Sequence, residues 1–245
     1  PMADPVVAPE SSGRGVLLLA ALVAVVGWQV PYGPQVLYPL TLLATYVHEM
    51  GHGVTAMLVG ARFESLMMHP DGSGLAMWVG SPGRIGRGIV AAGGLVGPSF
   101  VGAVVLTTSR WPWAARGMLI LGAVVMGASA LLFAGNIFAW AFTIVGAVLL
   151  TLAARFLPRG AAAFVLQFLG VMLCLSVFRD LDYMFSEGGM VGGQLQRSDS
   201  AAIAEALFLP YWFWGAMVAA TSFVVLGLGL WAALGRRRPA PIVVP

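Results

Sequence analysis

The chain has 245 residues, of which 59% are hydrophobic and only 9% carry a charged side chain, and its mean hydropathy is +0.89. Soluble globular domains contain about 25% charged residues, so the composition excludes an ordinary soluble domain and indicates a protein that lies in a lipid bilayer. The chain has 13 arginines, no lysine and 10 acidic residues, and the resulting net charge of +3 is too weak to form a nucleic-acid-binding surface.

The first 15 residues differ in composition from the rest of the chain. They are polar and proline-rich, and they lack the basic segment that begins a secretory signal. Segments of this kind bury too little apolar surface to fold, so we expect residues 1–15 to form a disordered tail.

Seven apolar segments are long enough, or nearly so, to cross a membrane, since a helical crossing needs roughly 20 apolar residues. In chain order they are residues 16–30, 36–60, 88–109, 114–134, 137–156, 161–183 and 210–234. Residues 62–79, after the second segment, form two strand-like runs around a turn, which predicts a β-hairpin. The expected fold is therefore an all-α polytopic membrane protein with about seven transmembrane helices and a short β-hairpin after the second.

The sixth segment is followed by polar sequence. We expect a polar loop over residues 186–198 and a short amphipathic helix that begins near Asp199. Residues 16–235 should form a single transmembrane domain, and residues 236–245 a polar C-terminal tail that opens with three arginines.

The second apolar segment contains a cluster of ionisable residues, His48, Glu49 and His52. A charged side chain at the centre of a membrane helix costs about 2.5–3.5 kcal/mol, so such residues indicate a functional site. Residues four apart share one helix face, which lets His48 and His52 hold one ion. Glu49 lies roughly 100° further around the helix, within reach of a water molecule on that ion. This H-E-x-x-H pattern is typical of a zinc site in which the glutamate is the general base.

A catalytic zinc site needs a third protein ligand. The sequence offers six candidates: His69, Asp71, Asp180, Asp182, Glu187 and Asp199. Asp180 and Asp182 stand out because the sixth span should run in the same direction as the second and end on the same side of the bilayer. Being two residues apart, they point roughly 200° apart on a helix, so only one of them should face the metal. His69 is the rival ligand, although its place in a turn favours a surface residue.

These motifs resemble the site-2 protease-type intramembrane zinc metalloproteases, in particular the compact bacterial branch without an added PDZ domain. The resemblance rests on residues 45–53 (TYVHEMGHG), 60–62 (GAR), 69–74 (HPDGSG) and the glycine-rich stretch 91–98 (AAGGLVGP). It implies that His48 and His52 bind Zn²⁺, that Glu49 is the catalytic base and that Asp180 is the third ligand. The Asn-x-x-Pro-x-x-x-Leu-Asp-Gly segment of better-known members has no match in this chain.

The resemblance also implies a function: hydrolysis of peptide bonds in transmembrane substrates, with Glu49 activating a zinc-bound water. The expected partners are a single-span membrane protein as substrate and the lipid bilayer, and the expected location is the bacterial cytoplasmic (inner) membrane. An open strand edge of the hairpin at residues 62–79 could accept an unwound substrate segment. Gly93 and Gly97 form a G-x-x-x-G pair that permits close helix packing.

Two other functions fit a metal site in a membrane protein: a non-proteolytic subunit that binds zinc, and a metal transporter. A closed structural site needs a fourth protein ligand, and a transport path needs carboxylates or histidines spread over several spans. The chain has few of either, which favours catalysis.

Overall fold

The computed structural model describes residues 13–109 and 111–234. Within these residues the elements follow the order α1 (Gly13–Gln29), α2 (Gly33–Leu58), β1 (Arg62–Met68), β2 (Gly74–Val79), α3 (Gly83–Ser109), α4 (Pro112–Leu132), α5 (Ile137–Phe156), α6 (Arg159–Arg179), α7 (Leu181–Met184), β3 (Gly188–Val191), β4 (Gln194–Arg197), α8 (Asp199–Leu207) and α9 (Tyr211–Leu234). Of the predicted disordered tail, residues 1–12 lie outside the described residues and residues 13–15 belong to α1. The predicted C-terminal tail, residues 236–245, lies outside them as well.

Five of the described helices are long and apolar enough to cross a membrane: α3, α4, α5, α6 and α9. The first helix contains only a shorter apolar stretch, Leu18–Gly27. The second helix is 26 residues long, but it is not uniformly apolar. It contains two histidines and a glutamate, and it has one proline in its first turn and another, Pro39, in its interior. The expectation of a helical membrane protein is confirmed. The expected number of about seven spans is not confirmed, because five of the described helices have the length and hydropathy of a crossing.

The predicted hairpin after α2 is confirmed. Strands β1 and β2 pair in antiparallel fashion, with Leu66 opposite Ala76. In the turn, the backbone N–H of His69 donates to the carbonyl of Ser73 over 2.9 Å. The carboxylate of Asp71 accepts hydrogen bonds from the hydroxyl and the backbone N–H of Ser73, and these bonds hold the pKa of Asp71 below its ordinary value. The turn is therefore shaped by its own side chains.

One edge of this two-stranded sheet is covered by the connection between α4 and α5. The backbone N–H of Leu66 donates to Phe133 over 2.6 Å, and its carbonyl accepts from the N–H of Gly135 over 2.7 Å. The side-chain amide of Asn136 donates to the carbonyl of Met68 over 2.8 Å. The β1 edge is thus closed, and β2 carries the other edge of the sheet.

Helices α2 and α3 pack closely because glycines line their contact. A Cβ on Gly51 would overlap the backbone of Gly93, and a Cβ on Gly94 would overlap the ring of His52. A Cβ on Gly97 would lie 3.3 Å from the carbonyl oxygen of Val47. The predicted packing role of the glycine pair in α3 agrees with these contacts.

The polar loop predicted over residues 186–198 is wrong, because residues 188–197 form a second hairpin, β3 and β4, with Gly189 opposite Gln196. Its turn is made by Gly192 and Gly193, whose φ values of 55° and 80° suit the tight turn of a two-residue hairpin. The amphipathic helix expected near Asp199 is confirmed as α8.

Candidate metal centre

Two histidines and one aspartate from distant parts of the chain meet between the two hairpins. The Oδ2 atom of Asp199 lies 2.9 Å from Nε2 of His48, and its Oδ1 atom lies 3.3 Å from Nε2 of His52. The two Nε2 atoms are 3.1 Å apart. Ligand atoms around a tetrahedral zinc with bonds of about 2.0–2.1 Å are roughly 3.3 Å apart, so the donor types and their spacing fit this ion.

Helix α3 orients the second histidine. Nδ1 of His52 lies 2.8 Å from the carbonyl oxygen of Val90. Because a carbonyl can only accept, Nδ1 carries the proton, and in the neutral ring the lone pair of Nε2 is left for a metal. Gly94 leaves room for the ring where a Cβ would overlap it. Val90 and Gly94 thus give His52 the outer support that metal-binding histidines require.

The N-terminus of α8 places the aspartate. Ser198 caps this helix by accepting a hydrogen bond from the N–H of Ala201, which puts Asp199 in the first turn. The backbone N–H of Ser198 donates to the carbonyl of Glu187, and its hydroxyl donates to the carbonyl of Ser186. These bonds tie the start of α8 to the base of the second hairpin and fix the direction of the carboxylate.

The charges of the centre favour an ionised aspartate. Burial raises the pKa of Asp199, but the neighbouring imidazoles of His52 and His48 outweigh this effect and hold the pKa well below its usual range. An ionised carboxylate beside two imidazole nitrogens is a suitable ligand set for a divalent cation.

Asp180, expected as the third ligand, does not lie with the histidines. Helix α6 ends at Arg179, and Nε of Arg179 lies 3.2 Å from the carboxylate of Asp180. The short helix α7 instead turns Tyr183 toward His48, with their ring centres 6.5 Å apart. The carboxylate that the described structure groups with the two histidines is that of Asp199, at the start of α8.

The remaining candidates are also away from the centre. A Cβ on Gly192, at the tip of the second hairpin, would touch the ring of His69, so this histidine belongs to a contact between loops. Asp71 bonds within its own turn, and Asp182 and Glu187 are exposed. Of the six candidates, Asp199 is the one that the described structure groups with His48 and His52.

Glu49 is buried between α2 and β2, beside the histidines but outside the group of ligand atoms. Its carboxylate lies near the backbone N–H of Ala76 in β2. A Cβ on Gly74 would come within 2.6 Å of Cγ of Glu49, so the glycine provides the space that this side chain occupies. The first hairpin therefore anchors the predicted base.

A family model described as Peptidase M50B-like matches residues 17–229, which include the three ligand candidates and Glu49. The chain belongs to this family. Membership confirms the resemblance to site-2 protease-type enzymes and indicates an integral membrane protein of the metalloprotease type. Neither the curated proteins nor the solved structures contain a significant match.

The metal centre of this M50B-like protein opens into a cleft of about 240 Å³. One wall is β2, the opposite wall is the second hairpin, and Tyr183 lies beside the histidines. The backbone N–H of Gly192 donates to the hydroxyl of Ser73 over 3.1 Å, so the two hairpins touch at their tips. The sequence analysis did not predict the second hairpin, which forms this wall. The Gly192-Gly193 pair at its turn is the sequence feature that indicates a hairpin.

Proposed function

We propose that this protein is an intramembrane zinc metalloprotease that hydrolyses peptide bonds of transmembrane substrates in the bacterial cytoplasmic membrane. The proposal rests mainly on the convergence of His48, His52 and Asp199 in a cleft that also holds a separately anchored carboxylate, Glu49. Family membership supports the same reaction class.

Each residue has a chemical role in this proposal. His48, His52 and Asp199 would hold the zinc ion, which would supply a Lewis acid for the peptide carbonyl and for water. Glu49 accepts a proton from the water molecule that attacks the carbonyl carbon, and it delivers this proton to the leaving nitrogen. Gly74 leaves the space that the side chain of Glu49 occupies beside the histidines.

The backbone pattern of the first hairpin supports a path for the substrate. Leu66 directs its N–H and carbonyl away from β2, toward the α4–α5 connection, so its pair with Ala76 is a non-hydrogen-bonded one. Ala76 must then direct its own N–H and carbonyl away from β1, and the nearness of its N–H to the carboxylate of Glu49 agrees with this. By the two-residue period of a strand, Gly74 and Trp78 direct their backbone groups the same way.

These outward groups face the metal cleft, because Gly74, Ala76 and Trp78 all line it. A transmembrane helix shields its peptide bonds by internal hydrogen bonds, so a substrate must unwind before it is cut. An unwound segment of a single-span protein can pair with β2 as an added strand. Such a strand would pass directly beside Glu49.

The arrangement fits catalysis better than a structural or transport site. A structural zinc site is closed by a fourth protein ligand, whereas the described residues supply three. The buried carboxylate beside these three ligands, that of Glu49, lies outside their group and next to Ala76 instead. A transport path would need further ligand groups along the helices, and the part of the chain that the structure describes offers this one group.

The test is Glu49→Gln in purified protein reconstituted with a single-span substrate. Removal of the base should lower the cleavage rate by about 100-fold to 10,000-fold, while zinc content and helical content stay at wild-type values. Glu64→Gln is the matched control, since Glu64 pairs with Arg62 at the protein surface and should leave cleavage unchanged. Cleavage by Glu49→Gln at the wild-type rate would remove the base, and the protease proposal with it.

A further inference from the structure

The charged residues that line the metal cleft do not all have partners. They are Glu49, Arg87, Arg197, Asp199 and Glu205. Arg197 forms an ion pair with Glu205. The carboxylates of Glu49 and Asp199 would balance the two positive charges of a bound zinc ion. Among the described residues that line the cleft, Arg87 then has no carboxylate partner.

Arg87 differs in this respect from the arginine one turn before it. Nε of Arg84 donates to the carbonyl of Ala206 over 2.8 Å, and its guanidinium lies 3.5 Å from the ring centre of Phe208. Arg84 therefore fastens α3 to the end of α8. No carboxylate among the described residues lies within ion-pair distance of Arg87, which is exposed at the cleft.

The register of α2 against α3 places Arg87 along the cleft. A Cβ on Gly94 would meet the ring of His52, and a Cβ on Gly86 would lie 3.6 Å from Val59. Arg87, next to Gly86 in α3, therefore lies at the level of Val59, which is seven residues after His52. This separation is roughly 10 Å at 1.5 Å per helical residue. A strand that rises about 3.3 Å per residue covers this distance in about three residues.

Trp78 supports the same direction. Its side chain belongs to a cluster with Ala56, Val59 and Val90. The C-terminal end of β2 therefore lies near the first turns of α3, which contain Arg87. The opposite end of β2, Gly74, lies beside Glu49. A peptide paired along β2 would therefore pass from the catalytic groups toward Arg87.

We propose that Arg87 is a specificity-determining residue that pairs with an acidic side chain of the peptide substrate, about three residues from the scissile bond. This inference rests on the proposed protease function and names the substrate class of the same cleft. The guanidinium recognises a carboxylate through two parallel N–H donors, one to each oxygen. The side-chain amide of asparagine has one oxygen and no charge, so it cannot replace the carboxylate equally. The acidic residue lies on the side of the scissile bond that extends along β2 toward Trp78.

The experiment uses the full-length zinc-loaded protein and a set of single-span substrates. Each substrate carries one Asp, or Asn as its control, at one of the five positions on either side of the scissile bond. Wild type should show a kcat/KM about fivefold higher for Asp than for Asn at one position near the third residue, the upper limit for an exposed ion pair. High salt should reduce this preference, because exposed charges are screened.

Charge reversal identifies the partner. Arg87→Glu should lose the preference for Asp and cleave a substrate with Arg at the same position faster than its Asn counterpart, while Arg87→Lys retains part of the wild-type preference. Arg159→Glu, at the exposed start of α6, is the matched control and should keep it. Zinc content measured in each variant confirms that the metal centre is intact.

Each outcome decides the proposal. Equal kcat/KM for Asp and Asn at every position in wild type, or an unchanged Asp preference in Arg87→Glu, would overturn the role of Arg87 while the protease function stands. If zinc-loaded wild type cleaves none of the substrates, the proposed function fails first, and the role of Arg87 fails with it.

Discussion

Two regions of the molecule occupy the membrane in different ways. The outer pair, α4 and α5, contains no histidine or acidic residue, and only 33% and 17% of the most apolar stretch of each helix is buried in the protein. The second group, α2, α3 and α8, forms the candidate metal centre with His48, His52 and Asp199. Glu49 and His52 in α2 are buried. Helix α2 is not among the five helices that are apolar enough to cross by composition.

The difference concerns what stabilises each helix. Exposed side chains such as Val148 and Leu149 lie on the outer surface of α5, where lipid contacts suffice. In contrast, α2 packs against α3, the first hairpin and α6. Helix α3, the turn of the first hairpin and α8 supply polar partners for its side chains. A membrane helix can carry a reactive centre when protein, rather than lipid, contacts its polar face.

The largest effect should come from the metal ligands. Asp199→Asn replaces a carboxylate by a neutral amide and should weaken zinc binding by more than 100-fold, since even outer-shell partners of a metal are worth about 10–100-fold. Asp180→Asn, which removes a charge beside Arg179 outside the centre, should change the zinc affinity less than threefold. Competitive zinc titration at matched pH measures both variants. A larger loss in Asp180→Asn would assign the third ligand to Asp180 instead.

A smaller effect should separate glycines of the two regions. Gly94→Ala places a Cβ against the ring of His52 and should cost about 1–3 kcal/mol of unfolding free energy, together with weaker zinc binding. Gly117→Ala in α4 meets no atom within 4 Å and should stabilise the helix by up to about 1 kcal/mol. Reversible unfolding in mixed micelles compares them. Equal free energies of unfolding for the two variants would mean that α3 is not in close contact with the ring of His52 at position 94.

The smallest effect is expected from valines. Val90→Ala removes a side chain that is 2% exposed and should cost about 1.5 kcal/mol at about 0.8 kcal/mol per buried methylene. Val148→Ala removes one that is 51% exposed on the outer surface of α5 and should change stability by less than about 0.5 kcal/mol. The same unfolding assay tests both. A cost at Val148 equal to that at Val90 would indicate that α5 is covered by protein.

The features that the sequence predicted correctly are those coded by local patterns. Apolar length predicts the spans of α3 to α6 and α9, and the turn between β1 and β2 is coded by Asp71 and neighbouring glycines. The i, i+4 spacing places His48 and His52 on one face without any tertiary information. Each of these inferences needs only a few neighbouring residues.

The third ligand could not be predicted in this way. Asp199 is 151 residues from His48, and it reaches the centre because the second hairpin returns the chain and Ser198 caps α8. Asp180 satisfied the topological argument equally well, but the turn of the chain into α7 directs Tyr183 to His48. Side-chain direction at a helix end depends on the next elements of the chain, and span counting does not contain this information.

Removal and return of zinc tests the central claim most directly. The purified wild-type protein is stripped with a chelator, reconstituted with a single-span substrate and titrated with zinc, while bound metal and cleavage are measured in the same samples. We expect no cleavage in the stripped protein and full recovery at one zinc per chain, whereas Glu49→Gln takes up the same zinc without cleaving. Cleavage by the metal-free protein, or binding of one zinc per chain without recovery in wild type, would contradict a catalytic centre built from His48, His52, Asp199 and Glu49.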